Sequence, residues 1–223
     1  MAEYHYDHQS SSQQLDRLSR HTRLFILAGF LGAVLGLARS IGSVLIFLTI
    51  LPVGPIPISI LNIIRRFAVI LLIMGVIGLS IEYKASPLIL VAVLDAVVLI
   101  LNEIYIAYVV TTGTVEMLMA LSLSSFIVGS AASIIFGIML LRLRDRSSQS
   151  RIFTIYGLIE VIWPPVYFLV AIAVPSLSYF ISQATALVIG ILSVVLYYNE
   201  LQKGPVIIHD DAPEWSQSPE VWE

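Results

Sequence analysis

Residues 87–111 read PLILVAVLDAVVLILNEIYIAYVVT, and Asp95 and Glu103 are the only charged residues among them. A helix needs about 20 mostly apolar residues to cross the hydrocarbon core of a bilayer. This segment meets that length, and it begins with a proline, which punctuates helices. It therefore predicts a transmembrane helix that carries two carboxylates inside its apolar run.

The whole chain has the same apolar character. Hydrophobic residues make up 58% of it and charged residues 12%, whereas a soluble domain carries roughly 25% charged residues. The net charge of −3 is too small to indicate a nucleic-acid partner. The chain contains no cysteine, which excludes disulfides, thiolate metal sites and iron–sulfur clusters.

Six segments are long and apolar enough to be membrane spans. They are residues 24–51, 58–82, 87–111, 116–142, 152–173 and 177–199. Short connections rich in proline, glycine and threonine force consecutive spans to be antiparallel neighbours. The predicted fold class is therefore all-α, a polytopic integral membrane bundle of six helices. It is preceded by a polar arm, residues 1–23, and followed by an acidic tail, residues 200–223, that we predict to be flexible.

Basic residues predict the orientation of the bundle. With six spans, those outside the apolar runs all fall on one side, and the three connections on the other side carry no Lys or Arg. They are Arg17, Arg20, Arg23, Lys84, Arg142, Arg144, Arg146, Arg151 and Lys203. The positive-inside rule then predicts a multi-pass protein of the cell membrane with both termini cytoplasmic.

Arg65 and Arg66 are the exception, because they lie in the second span toward its non-cytoplasmic end. We favour one continuous helix through them. The alternative is a span that starts at Phe67, with residues 58–66 as an interfacial or re-entrant piece.

Both terminal segments allow two interpretations. Residues 12–23 place Leu15 and Leu18 among charged residues, which fits either a short helix on the anionic inner leaflet or a solvated arm. The tail carries Trp215 and Trp222 among acidic residues. It is either free or holds a partner or the headgroup region.

Charged side chains inside the spans are the candidate functional groups, because a charge at the bilayer centre costs at least about 2.5–3.5 kcal/mol. Those residues, with one amide that shares a face with Asp95, are Arg39, Arg65, Arg66, Asp95, Asn102, Glu103 and Glu160. We expect Glu103 to pair with Arg65 or Arg66, and Arg39 to reach toward Asp95 or Glu160. The set either lines a polar path or forms buried ion pairs that fix helix register.

Small residues and prolines mark helix packing. Gly32 and Gly36 belong to a stripe of small residues in the first span, and Gly129 and Gly137 to one in the fourth. Such stripes let helix backbones approach closely, against each other or against another protomer. Pro164 and Pro165 predict a kink or break in the fifth span.

Enzymatic and cofactor chemistry finds little support in these residues. The histidines His5, His8, His21 and His209 all lie outside the spans, which excludes haem ligated at membrane depth. No catalytic constellation can be assembled, so we expect no enzyme, no cofactor and no metal site. The leading hypothesis is a transporter or channel-like protein with a polar intramembrane path. The rival is a non-catalytic subunit of a larger membrane complex. The expected partners are the lipid bilayer and either further copies of the chain or other membrane subunits.

Overall fold

The computed structural model describes residues 17–18, 20–48, 55–111, 115–147 and 149–205, and this part of the chain is almost entirely helical. The long helices are α1 (Arg20–Phe47), α2 (Pro55–Glu82), α3 (Pro87–Thr111), α4 (Val115–Leu143), α5 (Ser150–Ala173) and α6 (Pro175–Leu201). All six are long and apolar enough to cross a membrane. The prediction of six long apolar helices is thus confirmed.

Proline has a different role at the ends of these helices than inside α5. Three helices begin at a proline, Pro55, Pro87 and Pro175, where the missing N–H would have had no helical partner. Pro164 and Pro165 lie inside α5, which nevertheless runs from Ser150 to Ala173 as one helix. The predicted break is therefore wrong, and a kink at these residues stays a prediction.

The second helix is continuous through its two arginines. Because α2 runs from Pro55 to Glu82, Arg65 and Arg66 lie near its middle. The favoured interpretation is confirmed, and the separate interfacial piece at residues 58–66 is wrong.

The helices form a closed ring. Each packs against its neighbours in sequence, and α6 packs against α1 to complete the circle. Successive helices run in opposite directions, so the α2–α3 turn, the α4–α5 connection and the end of α6 share one end of the bundle. We call this the basic end, because Lys84, Arg144, Arg146 and Lys203 lie there. The other is the far end.

Packing is tightest in the half of the bundle nearest the basic end. The largest fully buried side chains all come from that half of their helices. They are Tyr197, Phe153, Ile26, Leu79, Leu88, Leu140, Leu196 and Glu200. The outward faces of all six helices expose large apolar side chains, for example Leu31, Ile70, Ile100, Leu123 and Ile191.

Glycines let particular helix pairs approach closely. A Cβ on Gly29 of α1 would lie 2.6 Å from the Cα of Gly75 in α2, and one on Gly32 would lie 2.7 Å from the backbone N of Leu72. A Cβ on Gly137 of α4 would lie 2.6 Å from the carbonyl oxygen of Gly157 in α5. The predicted close packing is therefore confirmed at Gly32 and Gly137.

The two stripes of small residues do not pack closely against another helix along their whole length. Nothing lies within 4 Å of a Cβ built on Gly36, and one on Gly129 would meet only Val98 at 3.7 Å. Close approach to another helix of this chain is therefore not seen at these two positions, and packing against another protomer stays a prediction. Gly32 packs on α2 and Gly137 on α5, so the two stripes do not pack on each other at these positions.

The two terminal segments meet at the basic end. Arg17–Leu18 forms a short strand, β1, that pairs in parallel with Gly204–Pro205, β2. Of the two interpretations of residues 12–23, the surface helix does not hold at Arg17 and Leu18, and α1 already begins at Arg20. The acidic tail was predicted to begin at residue 200, but α6 ends at Leu201 and Gly204–Pro205 pairs as β2. The flexibility of the tail stays a prediction. Trp215 and Trp222 lie outside the described residues.

Candidate functional site: a row of cavities inside the helix ring

A cavity of about 200 Å³ lies among five helices of the ring, and we call it the inner chamber. Five of the six helices contribute to its wall. The polar side chains of that wall are Asp95, Ser133, Tyr156, Glu160, Ser193 and Tyr197. The apolar ones are Leu72, Val76, Val91, Ala132, Phe136 and Ile189. A water molecule occupies about 30 Å³ in the liquid, so the chamber has room for several waters or for one ion with part of its hydration shell.

Glu160 is a buried carboxylate that a neighbouring helix holds in place. It is only 5% exposed, and its Oε2 accepts a 2.6 Å hydrogen bond from the Ser133 hydroxyl of α4. One turn earlier on α5, the Tyr156 hydroxyl lies 2.6 Å from the Ser193 hydroxyl of α6. Pro164 follows Glu160 by four residues and has no N–H, so the Glu160 carbonyl has no helical donor. The carboxylate and this carbonyl therefore belong to one polar segment of α5.

Asp95 and Tyr197 face the inner chamber without a side-chain partner in the described residues. Neither side chain has a hydrogen bond or an ion pair there; Asp95 is partly buried and Tyr197 is only 2% exposed. The Tyr197 ring lies where Gly29 and Gly75 let α1 and α2 come together. Water or an ion in the chamber can supply the hydrogen-bonding partner of both groups.

Two further cavities extend from the inner chamber toward the far end. The middle cavity, of about 270 Å³, shares Ser133 with the inner chamber, and Ser125, Gly129, Ser130, Pro164 and Ser182 also line it. The outer cavity, of about 460 Å³, shares Ser125 and Ser182 with the middle one. Adjacent cavities thus share wall residues, and hydroxyl groups recur along the whole row. Part of the predicted packing stripe of α4 is therefore a polar wall.

Arg65 and Asn102 lie at the outer end of this row, with Tyr105 and Ser122. Asn102 donates a 2.8 Å hydrogen bond from its amide to the Val98 carbonyl of its own helix. It follows Asp95 by seven residues, or about 10 Å along α3. The predicted shared face of these two residues is confirmed, because both border the same row of cavities.

The neighbouring arginine pairs with a carboxylate outside the row. Arg66 donates from Nε to Glu103 Oε1 at 2.8 Å, and its NH2 group lies 2.5 Å from Glu103 Oε2. This two-point contact joins α2 to α3 and confirms the predicted pairing of Glu103 with one of the two arginines. Both side chains stay partly exposed, at 47% and 38%, and neither lines the three cavities.

A buried polar cluster, which we call the basic-end cluster, lies between the inner chamber and the basic end. The Glu200 side chain is fully buried and accepts hydrogen bonds from the Tyr83 hydroxyl at 2.7 Å and from the Gln149 amide at 2.6 Å. Lys203 lies 2.7 Å from the other carboxylate oxygen and 4.9 Å from the centre of the Tyr83 ring. Ser147 lies 3.1 Å from the Tyr83 hydroxyl. The cluster ties together the α2–α3 turn, the α4–α5 connection and the end of α6.

The phenol of Tyr83 stays protonated in this cluster. Burial, with the nearby Glu200 carboxylate as the second cause, raises the pKa of Tyr83 well above its usual range. The hydroxyl therefore remains a donor to Glu200 at physiological pH, and the charge of Glu200 is balanced by Lys203.

Arg39 lines none of the three cavities. It follows Gly29 by ten residues on α1, or about 15 Å, and Gly29 lies against Tyr197 of the inner chamber. The bridge from Arg39 to Asp95 or Glu160 stays a prediction.

Several residues of the site could not be found from local sequence patterns. Tyr83, Gln149 and Glu200 are separated by 51 to 117 residues in sequence, so only the closed ring brings them together. Tyr156 precedes Glu160 by four residues, a helical spacing that could have placed its hydroxyl beside the carboxylate.

The polar side chains that line the row of cavities present mainly oxygen atoms as ligands. No group of three or more His, Cys, Asp or Glu side chains gathers within the described part of the chain. Hydroxyls and two carboxylates suit hard monovalent cations, water and protons rather than soft transition metals. No family model matches this chain, and no curated protein and no solved structure matches it either.

Proposed function

We propose that this chain is an integral protein of the cell membrane and a transporter of a small solute. The six helices cross the bilayer, and both termini lie in the cytoplasm. The carboxylates of Asp95 and Glu160 bind the coupling ion, which is a proton or a monovalent cation. One observation carries the proposal: a row of polar cavities leads from the far end to the buried carboxylate of Glu160 and the partly buried carboxylate of Asp95, and stops at the basic-end cluster.

The outer surface and the charges support residence in the bilayer. Large apolar side chains cover the outside of all six helices. Such a surface is unfavourable in water and favourable in lipid. Helices pair their backbone groups internally, as the hydrocarbon region demands, and the exceptions in α5 are the carbonyls whose donors Pro164 and Pro165 remove. Basic side chains gather at one end, which the positive-inside rule assigns to the cytoplasm.

The arrangement suggests a conformation open to the outside and closed to the cytoplasm. In this proposal an ion enters through the hydroxyl-lined cavities and binds at Asp95 and Glu160. Release to the cytoplasm requires that the Tyr83–Glu200 contact opens, because this contact closes the basic end. Alternating access of this kind needs both a binding site in the middle of the protein and a closure that can move.

The coupling ion can be tested with the purified chain in liposomes. A pH gradient and a Na⁺ gradient are imposed separately, and a trapped pH-sensitive dye and a Na⁺ indicator report ion flux. We expect flux in the unaltered chain and at least a tenfold loss in Glu160→Gln and Asp95→Asn. Glu116→Gln is the matched control, because Glu116 is exposed in the first turn of α4.

The rival hypothesis makes a different prediction in the same experiment. A non-catalytic subunit would give no flux under either gradient although the protein is folded, and native mass measurement would find other chains bound to it. That combination would overturn the transporter proposal.

A further inference from the structure

The charges around Arg65 do not balance. Glu103 is the acidic side chain beside the two adjacent arginines, and both of its carboxylate oxygens are occupied by Arg66. Within the described residues, Arg65 has no hydrogen bond and no ion pair. The three side chains together therefore leave one positive charge. A guanidinium that is largely removed from water favours an anion as its partner.

The cavity beside Arg65 is built to hold more than a simple ion. Its volume is about 460 Å³, within the range of roughly 300–1,000 Å³ that is typical of small-molecule sites. Four helices supply its polar groups, and most of its wall can donate hydrogen bonds. The polar residues are Arg65, Asn102, Tyr105, Ser122, Ser125 and Ser182, and the apolar ones are Leu121 and Phe126.

We propose that the outer cavity binds a small organic anion through its carboxylate, with Arg65 as the principal ligand. The planar guanidinium presents two parallel N–H groups that match the two oxygens of a carboxylate. Hydroxyls of Ser122, Ser125 and Ser182 donate to the remaining acceptor positions, while Leu121 and Phe126 contact the carbon skeleton. The volume exceeds what chloride or inorganic phosphate would fill, so the cavity favours an organic molecule.

This inference rests on the proposed function, because it names the class of transported solute. The outer cavity connects through shared serines to the chamber of Asp95 and Glu160. An anion at Arg65 and a cation at the carboxylates would then move together with little net charge, which lowers the cost of crossing the low-dielectric region.

Binding can be measured without transport. The purified protein in an uncharged detergent is titrated with acetate, lactate, succinate, glutarate and benzoate, and melting temperature and heat of binding are recorded. Sodium chloride at equal ionic strength is the reference. We expect at least one carboxylate to raise the melting temperature and bind saturably. Arg65→Gln should weaken that binding at least tenfold, and Arg65→Lys should weaken it less.

Arg66→Lys is the matched control. It changes the adjacent arginine but keeps a cation beside Glu103, so it should bind the carboxylate as the unaltered chain does. If Arg65→Gln fails to fold, Ser125→Ala supplies the test, because loss of one donating hydroxyl should weaken binding severalfold.

Two results would overturn the inference. One is that none of the five carboxylates stabilises the protein above the chloride reference, or that Arg65→Gln binds them unchanged. The other is that only vesicles of phosphatidylglycerol stabilise the protein, in an Arg65-dependent way, which would make the cavity a lipid-headgroup site. Glu160-dependent flux without carboxylate binding would refute the site alone. Arg65-dependent binding without any flux would refute the transporter and leave the site standing.

Discussion

The Tyr83 hydroxyl donates a hydrogen bond of 2.7 Å to the Glu200 carboxylate across 117 residues of sequence. This contact joins the turn after α2 to the end of α6, two helices that both flank α1 in the ring. Lys203 balances the charge of Glu200 at 2.7 Å, and both side chains are almost fully buried. A charged pair removed from water depends on its hydrogen-bonding partners, so the cluster is sensitive to the loss of any one donor.

We therefore expect Tyr83→Phe to weaken the closure of the basic end. Loss of a buried hydrogen bond to a charged group should lower stability by about 1.5–3 kcal/mol. The chain contains no cysteine, so a thiol reagent would label only the cysteine of the variant Ser193→Cys. Because Ser193 lines the inner chamber, the labelling rate reports how easily the reagent reaches that chamber. A membrane-impermeant thiol reagent applied from the basic end should modify it faster in the Tyr83→Phe background.

Tyr198→Phe is the control for that experiment. Tyr198 lies on α6, as Ser193 does, but its side chain is 50% exposed. It should change neither the melting temperature nor the labelling rate. Equal labelling of Ser193→Cys with and without the Tyr83 hydroxyl would show that the cluster does not close the basic end.

Gly29→Ala should destabilise the bundle, whereas Gly36→Ala should not. A Cβ at position 29 would lie 2.6 Å from both the Gly75 Cα and the Tyr197 ring, but one at position 36 meets nothing within 4 Å. Overpacking of this kind costs about 1–3 kcal/mol. Thermal unfolding of both variants in detergent checks the difference. Equal melting temperatures would mean that α1 and α2 do not approach closely at Gly29.

The ion pair between Arg66 and Glu103 should be asymmetric in its effect on stability. Glu103→Gln leaves two adjacent arginines without a counter-charge, whereas Arg66→Gln leaves Glu103 beside Arg65. We expect Glu103→Gln to lower the melting temperature more. Because both partners are more than a third exposed, a double-mutant cycle should give a coupling of only about 0.5–1 kcal/mol. A larger loss for Arg66→Gln would contradict this account.

The pairing of the two terminal segments predicts a specific cross-link. Leu18 faces Pro205 in the β1–β2 register, so the double variant Leu18→Cys/Pro205→Cys should cross-link with a short bifunctional thiol reagent. After cleavage of the chain between the two positions, the fragments should remain joined on a denaturing gel. Leu18→Cys/Val174→Cys is the control, because Val174 follows α5 at the far end. Separation of the fragments of the first variant would show that the strands do not pair.

Much of the helical architecture could be predicted from local sequence. Apolar length fixes where each long helix lies, and prolines such as Pro87 and Pro175 mark helix starts. The pairing of Glu103 with an arginine was also predictable, because both groups lie at similar depth in consecutive antiparallel spans. The shared face of Asp95 and Asn102 follows directly from helical periodicity.

Depth along one helix does not say which neighbour a residue faces or at what height. Arg39 lines none of the three cavities, and its bridge to Asp95 or Glu160 stays a prediction. The same limit explains Gly36 and Gly129, which share the spacing of Gly32 and Gly137 but face open space or an ordinary contact.

The sequence by itself determined six long apolar helices, their order and antiparallel course, and the gathering of basic side chains at one end. These depend on length, composition and local turn chemistry, which each segment carries on its own. Only the tertiary structure decided that the ring closes between α1 and α6 and that serines of α4 line cavities. It also decided that Tyr83 reaches Glu200, and that Glu103 forms its hydrogen bond and salt bridge with Arg66 and not with Arg65. These relationships join residues far apart in sequence, and they depend on how each helix is rotated and shifted against its neighbours, which side-chain packing sets and local periodicity does not.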